Sequence, residues 1–220
     1  MGIDARTTMD MDTCVKGLLL PDKELYNVLK EILSINIGDN IVFEINNSKP
    51  IREEDEYGGL KYNVIAVFDN LKVNLSIDIA TGDLITPAEI EYSYKMIFEN
   101  RSLKIMTYNI ETIIAEKFQT VISRGILNSR MKDYYDLYYL ITNKEFLIED
   151  LKSAIINTFK KRNTNIDEID KKMKEIQDSE FIKELWGNYT NKHEYAKNIC
   201  IEKIFSKLRY IKEILEEWRK

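Results

Sequence analysis

The spacing of apolar positions changes near residue 109. Ahead of it most apolar residues alternate with polar ones; beyond it they recur every three or four residues. The first half therefore reads as strands with one or two helices, and the second half as helices. Over 22–35, Leu25, Val28, Leu29 and Ile32 fall at helical spacing, and Pro21-Asp22 marks the start, with Asp22 in the favourable first turn. Residues 40–45 form a short predicted strand, followed by a polar loop from Asn46 to Gly59. Residues 61–68 and 71–80 predict two strands joined by Asp69-Asn70, a hairpin signal. The first is apolar on both faces, which predicts a central, buried strand. Gly82-Asp83 closes the second, and Pro87 lies in the loop beyond. Helices are expected near 110–124, 130–142, 147–162, 166–186 and 194–218, with Asn128-Ser129 as a helix start. The expected class is α+β, with a sheet domain over 1–108 and a helical domain over 109–220.

Composition narrows the chemistry. The chain has 220 residues, 44% hydrophobic and 31% charged, which excludes a disordered or collagen-like protein. It is long enough to bury a core without disulfides. No apolar run approaches the roughly 18 residues of a membrane span, and the first residues lack the apolar stretch of a secretory signal. Cys14 and Cys200 lie far apart and form neither a zinc pattern nor a disulfide framework, so a reducing cytoplasm is the expected home. His193 is the single histidine, which excludes zinc held by several histidines. A Ser-His-Asp triad would rest on this residue, in a Lys/Asn/Glu-rich stretch. The chemistry left is that of carboxylates, lysine and arginine, pointing to metal-assisted phosphate transfer before acyl transfer. Residues 1–143 carry 15 basic and 22 acidic side chains, whereas 144–220 carry 17 and 15. An acidic first part and a faintly basic helical part result.

The acidic residues fall into a pattern. If 5–13 is extended, Thr8, Asp10, Asp12 and Cys14 share a face, with Asp10 and Asp12 about 7 Å apart. Carboxylates so close repel unless a cation lies between them, and oxygen donors suit magnesium. Asp-x-Asp is also common at turns and strand ends. In the strand over 71–80, Val73, Leu75, Ile77 and Ile79 share the apolar face, while Lys72, Asn74, Ser76, Asp78 and Ala80 share the polar one. Asp78 is then either a polar residue of an exposed edge strand or a third carboxylate beside the pair. The latter arrangement is what metal-assisted nucleotidyl transfer requires, with Asp78 as general base.

On the helix near 110–124, Lys117 falls within the stripe of Ile110, Ile113, Ile114, Phe118 and Val121. It either snorkels to water or reaches a buried anion. On the next helix Asp133, Asp136, Leu137 and Leu140 fall at i, i+3, i+4 and i+7, so both aspartates flank the inward face. Buried carboxylates need partners, and Arg130 and Lys117 are the candidates. Tyr134, Tyr135, Tyr138 and Tyr139 read as core rather than as a base-stacking platform. There is no P-loop and no Gly-x-Gly-x-x-Gly, and Gly58-Gly59 reads as a turn. The runs Lys160-Lys161-Arg162 and Lys171-Lys172 read as solvated faces. A local basic patch of Lys117, Arg124, Arg130 and Lys132 remains available to RNA, despite a net charge of −5.

Four blocks stand in order: Arg6-Thr7-Thr8-Met9-Asp10-Met11-Asp12; Ser76-Ile77-Asp78-Ile79 with Gly82-Asp83 and Pro87; Ala115-Glu116-Lys117; and Arg130-Met131-Lys132-Asp133-Tyr134-Tyr135-Asp136. Over roughly residues 5–142 they resemble the AbiEii/AbiGii toxin family of nucleotidyltransferases. The resemblance implies a polymerase-β-like nucleotidyltransferase fold, a small mixed sheet followed by a helical domain. It implies a bacterial toxin of a toxin–antitoxin or phage-abortive system. The cognate antitoxin would be a winged-helix regulator acting without a stable complex. Related toxins add nucleotides to the 3′ end of tRNA. By this resemblance Asp10, Asp12 and Asp78 hold Mg2+ and act in catalysis, and Asp133 belongs to the same site. Thr8, Lys117, Arg130 and Lys132 would contact a nucleoside triphosphate. The choice between Asp133 and Asp136 stays open. The family's Gly-Gly motif upstream of Asp-x-Asp, whose backbone amides would receive the triphosphate, is not among the nine residues before Asp10. The chain as given is therefore expected to bind nucleotide weakly, as a late-started or shortened form. A nucleotidyltransferase-like binding module and nucleotide transfer to a protein hydroxyl are the alternatives.

Overall fold

The computed structural model describes residues 10–16, 21–51, 59–96 and 99–216. The chain forms two compact units that meet between Asp83 and Leu84.

The first unit is a four-stranded mixed sheet with one helix. Its strands are β1 (Asp10–Val15), β2 (Val42–Pro50), β3 (Gly59–Phe68) and β4 (Leu71–Thr81), in the order β1-β4-β3-β2. β3 and β4 form the expected hairpin, with Asp69 at φ 51° in its turn. Asp and Asn tolerate this left-handed conformation better than most residues. β1 runs parallel to β4 and covers what the sequence allowed to be an edge. β2 runs to Pro50, beyond the expected 40–45, with a register shift between Ile45 and Asn47. Helix α1 (Asp22–Leu33) starts where Pro21-Asp22 predicts it. It buries Leu25 and Leu29 against Leu60, Tyr62, Val64, Ile77 and Ile79. Val28 and Ile32, on the same predicted stripe, are exposed. β3 is central, as expected, but buried on one face only: Ile65 and Val67 opposite the core are half-buried. Gly59, which reads as part of a turn, begins β3. A Cβ there would stand 2.7 Å from the Ile79 carbonyl oxygen, so only glycine allows the strands to pair at this point.

The second unit opens with a hairpin, β5 (Ile90–Lys95) and β6 (Ser102–Thr107), that the sequence reading does not include. Six helices follow: α2 (Ile110–Arg124), α3 (Met131–Asn143), α4 (Ile148–Lys161), α5 (Ile169–Asp178), α6 (Glu180–Lys192) and α7 (Ile201–Glu216). The compact units thus divide 25 residues earlier than the expected boundary at 108/109. Hydrogen bonds account for this. Asn109 caps α2 by accepting from the Thr112 N–H at 2.7 Å. Its side chain also donates to the carbonyls of Thr86 and Ala88, both at 2.8 Å. Thr112 Oγ1 accepts from the Thr86 N–H, and Asn157 donates to Thr86 Oγ1. The segment before the hairpin is thereby tied to α2 and α4. The helix expected over 166–186 is broken: Ser179 ends α5 and caps α6 by accepting from the Ile182 N–H. The last helix begins at Ile201, after a 3₁₀ turn over Glu194–Ala196. The core of this unit is built on Phe118, Tyr134, Leu137, Phe159 and Ile204.

Candidate functional site

In the first unit, chemistry gathers on the sheet face opposite the α1 core. Alternation along β4 sends Ile77 and Ile79 to the core and leaves Ser76 and Asp78 on the other side. The parallel register sets Asp12 opposite Asp78, and Asp10 opposite Ser76. Asp12 is exposed and Asp78 half-buried. Of Asp10 the backbone position is described; Thr8 lies outside the described residues. β1 is pinned to β4 by Thr13 Oγ1, which donates to the Asp78 carbonyl at 3.1 Å. The Asp78 carboxylate accepts from Ser76 Oγ at 3.4 Å and takes the Lys61 ammonium, 3.1 Å from Oδ1 and 3.3 Å from Oδ2. The sequence reading passed over Lys61. Yet a two-residue turn pairing Phe68 with Leu71 carries the register back to Lys61 opposite Asp78, so the signal was present.

The donors around Asp12 and Asp78 are carboxylate and hydroxyl oxygens, a set that suits a hard divalent cation; the Cys14 thiol lies on the same face of β1, two residues beyond Asp12 and opposite Ala80. Asp12 and Asp78 are directly opposite, and Asp10 stands two residues before Asp12 in the same strand. The residues present therefore fit Mg2+. Among the described residues no group of three or more Asp, Glu, His or Cys is gathered around one point.

In the second unit, Lys117 reaches a buried anion rather than water, and the anion is a pair of carboxylates on α3. Its Nζ is 2.7 Å from Asp136 Oδ2 and 3.3 Å from Asp133 Oδ1. The Asp136 side chain is 0% exposed, that of Asp133 4% and that of Lys117 22%. Arg130 Nε lies 3.2 Å from Asp133 Oδ2. Both cations named from the sequence as partners for these carboxylates thus take that role. Two of the four residues of the expected basic patch are held in these ion pairs, while Arg124 is exposed and Lys132 half-buried. A neighbouring network went unread: Arg162 bridges Glu116 at 3.0 Å and Gln119 at 2.9 Å, and Gln119 donates to Thr164. Tyr134 and Tyr135 are core residues. Burial pushes the Tyr134 hydroxyl above its ordinary range, and the charge of Asp133 adds to the effect, against a smaller opposing contribution from Asn128. His193 packs among Tyr189 and Tyr195, an aromatic cluster and not a triad.

Comparison with known proteins gives these two groups a context. No curated protein matches the chain. Two solved structures align with it: JHP933 from Helicobacter pylori, and a candidate nucleotidyltransferase from the same organism. Each is 17% identical with a TM-score of 0.48, over 97% of this chain. The alignments span 79% and 81% of those two chains, respectively. The family described as "Nucleotidyl transferase AbiEii toxin, Type IV TA system" matches residues 1–215. With 215 of its 220 residues matched by that family, the chain belongs to the AbiEii nucleotidyltransferase toxins of type IV toxin–antitoxin systems.

Proposed function

We propose that this toxin transfers a nucleotidyl group from a nucleoside triphosphate to an acceptor hydroxyl, with the 3′ end of tRNA as the acceptor. The observation that carries the reading is the parallel register of β1 and β4, which sets Asp12 opposite Asp78. Asp10, Asp12 and Asp78 would hold Mg2+. When bound, such an ion stabilises charge on the reacting phosphate and lowers the pKa of an attacking hydroxyl. Asp78 receives the acceptor's proton as general base. The acceptor oxygen bonds to the α-phosphorus, the bond from that phosphorus to the oxygen bridging to the β-phosphate breaks, and pyrophosphate leaves. By the family resemblance Thr8, Lys117, Arg130 and Lys132 are the candidate triphosphate contacts, and within the second unit Asp133 pairs with Lys117 and Arg130. Membership of a type IV system brings an antitoxin partner and a nucleotide substrate. The antitoxin is a winged-helix regulator that forms no stable complex, and the toxin works in the cytoplasm. No helix among the described residues is long and apolar enough to cross a membrane.

The test incubates the chain with α-labelled nucleoside triphosphates, Mg2+ and total tRNA, beside Asp10→Ala and Asp12→Ala. Label in RNA that both substitutions abolish is the expected result. Label in protein alone would move the acceptor to a protein hydroxyl. No label in any fraction would leave a nucleotidyltransferase-like binding module.

A further inference from the structure

We propose that Lys61 is a positioning residue that occupies the cation's place at Asp78 when no metal is bound, and that it sets how tightly metal binds there. The inference rests on the reading of Asp10, Asp12 and Asp78 as metal ligands. Lys61 sits on β3, opposite Asp78 in the hairpin register, and its ammonium touches both carboxylate oxygens. The pair is part-exposed, and the register of two strands interior to the sheet holds the two residues opposite one another.

The physical need is plain. Asp12 and Asp78 face one another across a parallel pair, and Asp10 precedes Asp12 by two residues. Carboxylates at this spacing raise the energy of the metal-free fold. Lys61 offsets part of that repulsion with a charge carried by the chain itself. A divalent ion arriving at the same carboxylate meets a cation already there. The two then share Asp78 or the ammonium swings out, and the Lys61 side chain, 39% exposed, has room to do so. Lys61 therefore stabilises the metal-free protein and weakens metal binding by the same interaction. Lys49 lies opposite Lys61 on β2 and adds a second positive charge to that row. The row thus reads Asp12, Asp78, Lys61, Lys49, acidic at one end and basic at the other.

Mn2+ binding to the full chain, without nucleotide, tests this by electron paramagnetic resonance of the free ion. Thermal midpoints are measured in the same samples. Lys61→Gln removes the charge and keeps a polar side chain, and is expected to bind Mn2+ about two- to fivefold more tightly, a change of the size a part-exposed charge supplies. Its metal-free midpoint should fall, and saturating Mn2+ should restore it. Lys61→Arg keeps the charge and should return the affinity to that of the parent. If Lys61→Gln lowers the midpoint while Mn2+ affinity stays equal or weakens, Lys61 is a structural partner only and the inference is wrong. Asp78→Asn separates this failure from that of the underlying reading. Binding by the parent that Asp78→Asn abolishes keeps the metal site whatever Lys61 does. Absence of binding in the parent and in Lys61→Gln alike removes the metal site and the inference together.

Discussion

Lys117→Met tests whether the buried charge cluster of the second unit holds that unit together. The substitution keeps the length and apolar stem of the side chain and deletes the ammonium. Asp136, fully buried, then loses a cation at 2.7 Å, and Asp133 loses one of its two nearby cations. Removing one member of a buried ion pair costs about 3–5 kcal/mol, because the remaining charge stays out of water. The lower end applies here, since Lys117 keeps some exposure and water reaches the cluster from that side. About 3 kcal/mol corresponds to a fall of about 6–12 °C in the midpoint for a chain of this size. The assay is thermal and urea unfolding followed by far-ultraviolet circular dichroism, whose helical signal reports chiefly on α2 to α7. Asp136→Asn in the Lys117→Met background removes the carboxylate charge that Lys117 faced, and a coupling of about 1–3 kcal/mol between the two changes is expected. A midpoint for Lys117→Met within about 1 °C of the parent would refute the argument, being far below the shift worked out above. So would strict additivity in the double variant. The same numbers bear on activity: loss of nucleotide transfer in a lysine variant speaks to phosphate contact only at temperatures below its lowered midpoint.

Two further outcomes are expected from the same unit. The Tyr134 hydroxyl and Asn128 Nδ2 are buried, and the contact between these two side chains falls short of a well-formed hydrogen bond. Tyr134→Phe should therefore leave stability near neutral pH unchanged or slightly higher. The raised folded value gives this tyrosine a stabilising contribution that is fully present below its ordinary value of 10 and lost as pH rises through the folded one. Urea midpoints should fall above pH 10, and fall less for Tyr134→Phe. Asn109→Ala removes the cap of α2 and both donations to Thr86 and Ala88. It should cost about 2 kcal/mol, with faster hydrogen exchange at the start of α2 as the local readout.

Legibility followed how local each signal was. The β3–β4 hairpin is written in two alternating strands and a two-residue turn, and it formed as read. The carboxylate face was legible because alternation alone puts Asp78 opposite the apolar residues of its strand, although the parallel partner lies far away in sequence. Lys61 was missed because the strand was read as apolar on both faces, without carrying its register across the turn. The β5–β6 hairpin escaped for a different reason. Its alternation, Ile90, Tyr92 and Tyr94 against Glu91, Ser93 and Lys95, is present, but these strands are exposed along nearly their whole length and lie next to helical sequence. The break at Ser179 was hidden by apolar residues that keep helical spacing on both sides, where a cap alone decides the boundary. Whether Lys117 reaches water or an anion depends on side chains of two different helices, and only their packing decides it.

The strand order has a consequence in time. β1 leads the described chain, sits at the end of the sheet and pairs only with β4, to which Thr13 is joined across 65 residues. The β3–β4 hairpin closes over a two-residue turn and assembles locally, whereas β1 must wait for a long loop to close. During synthesis the Asp-x-Asp segment emerges first and its partner strand much later. The pairing that aligns Asp12 with Asp78 is thus the one in this sheet that spans the longest stretch of chain. A chain that ends before β4 carries the aspartates of β1 without the strand that aligns them.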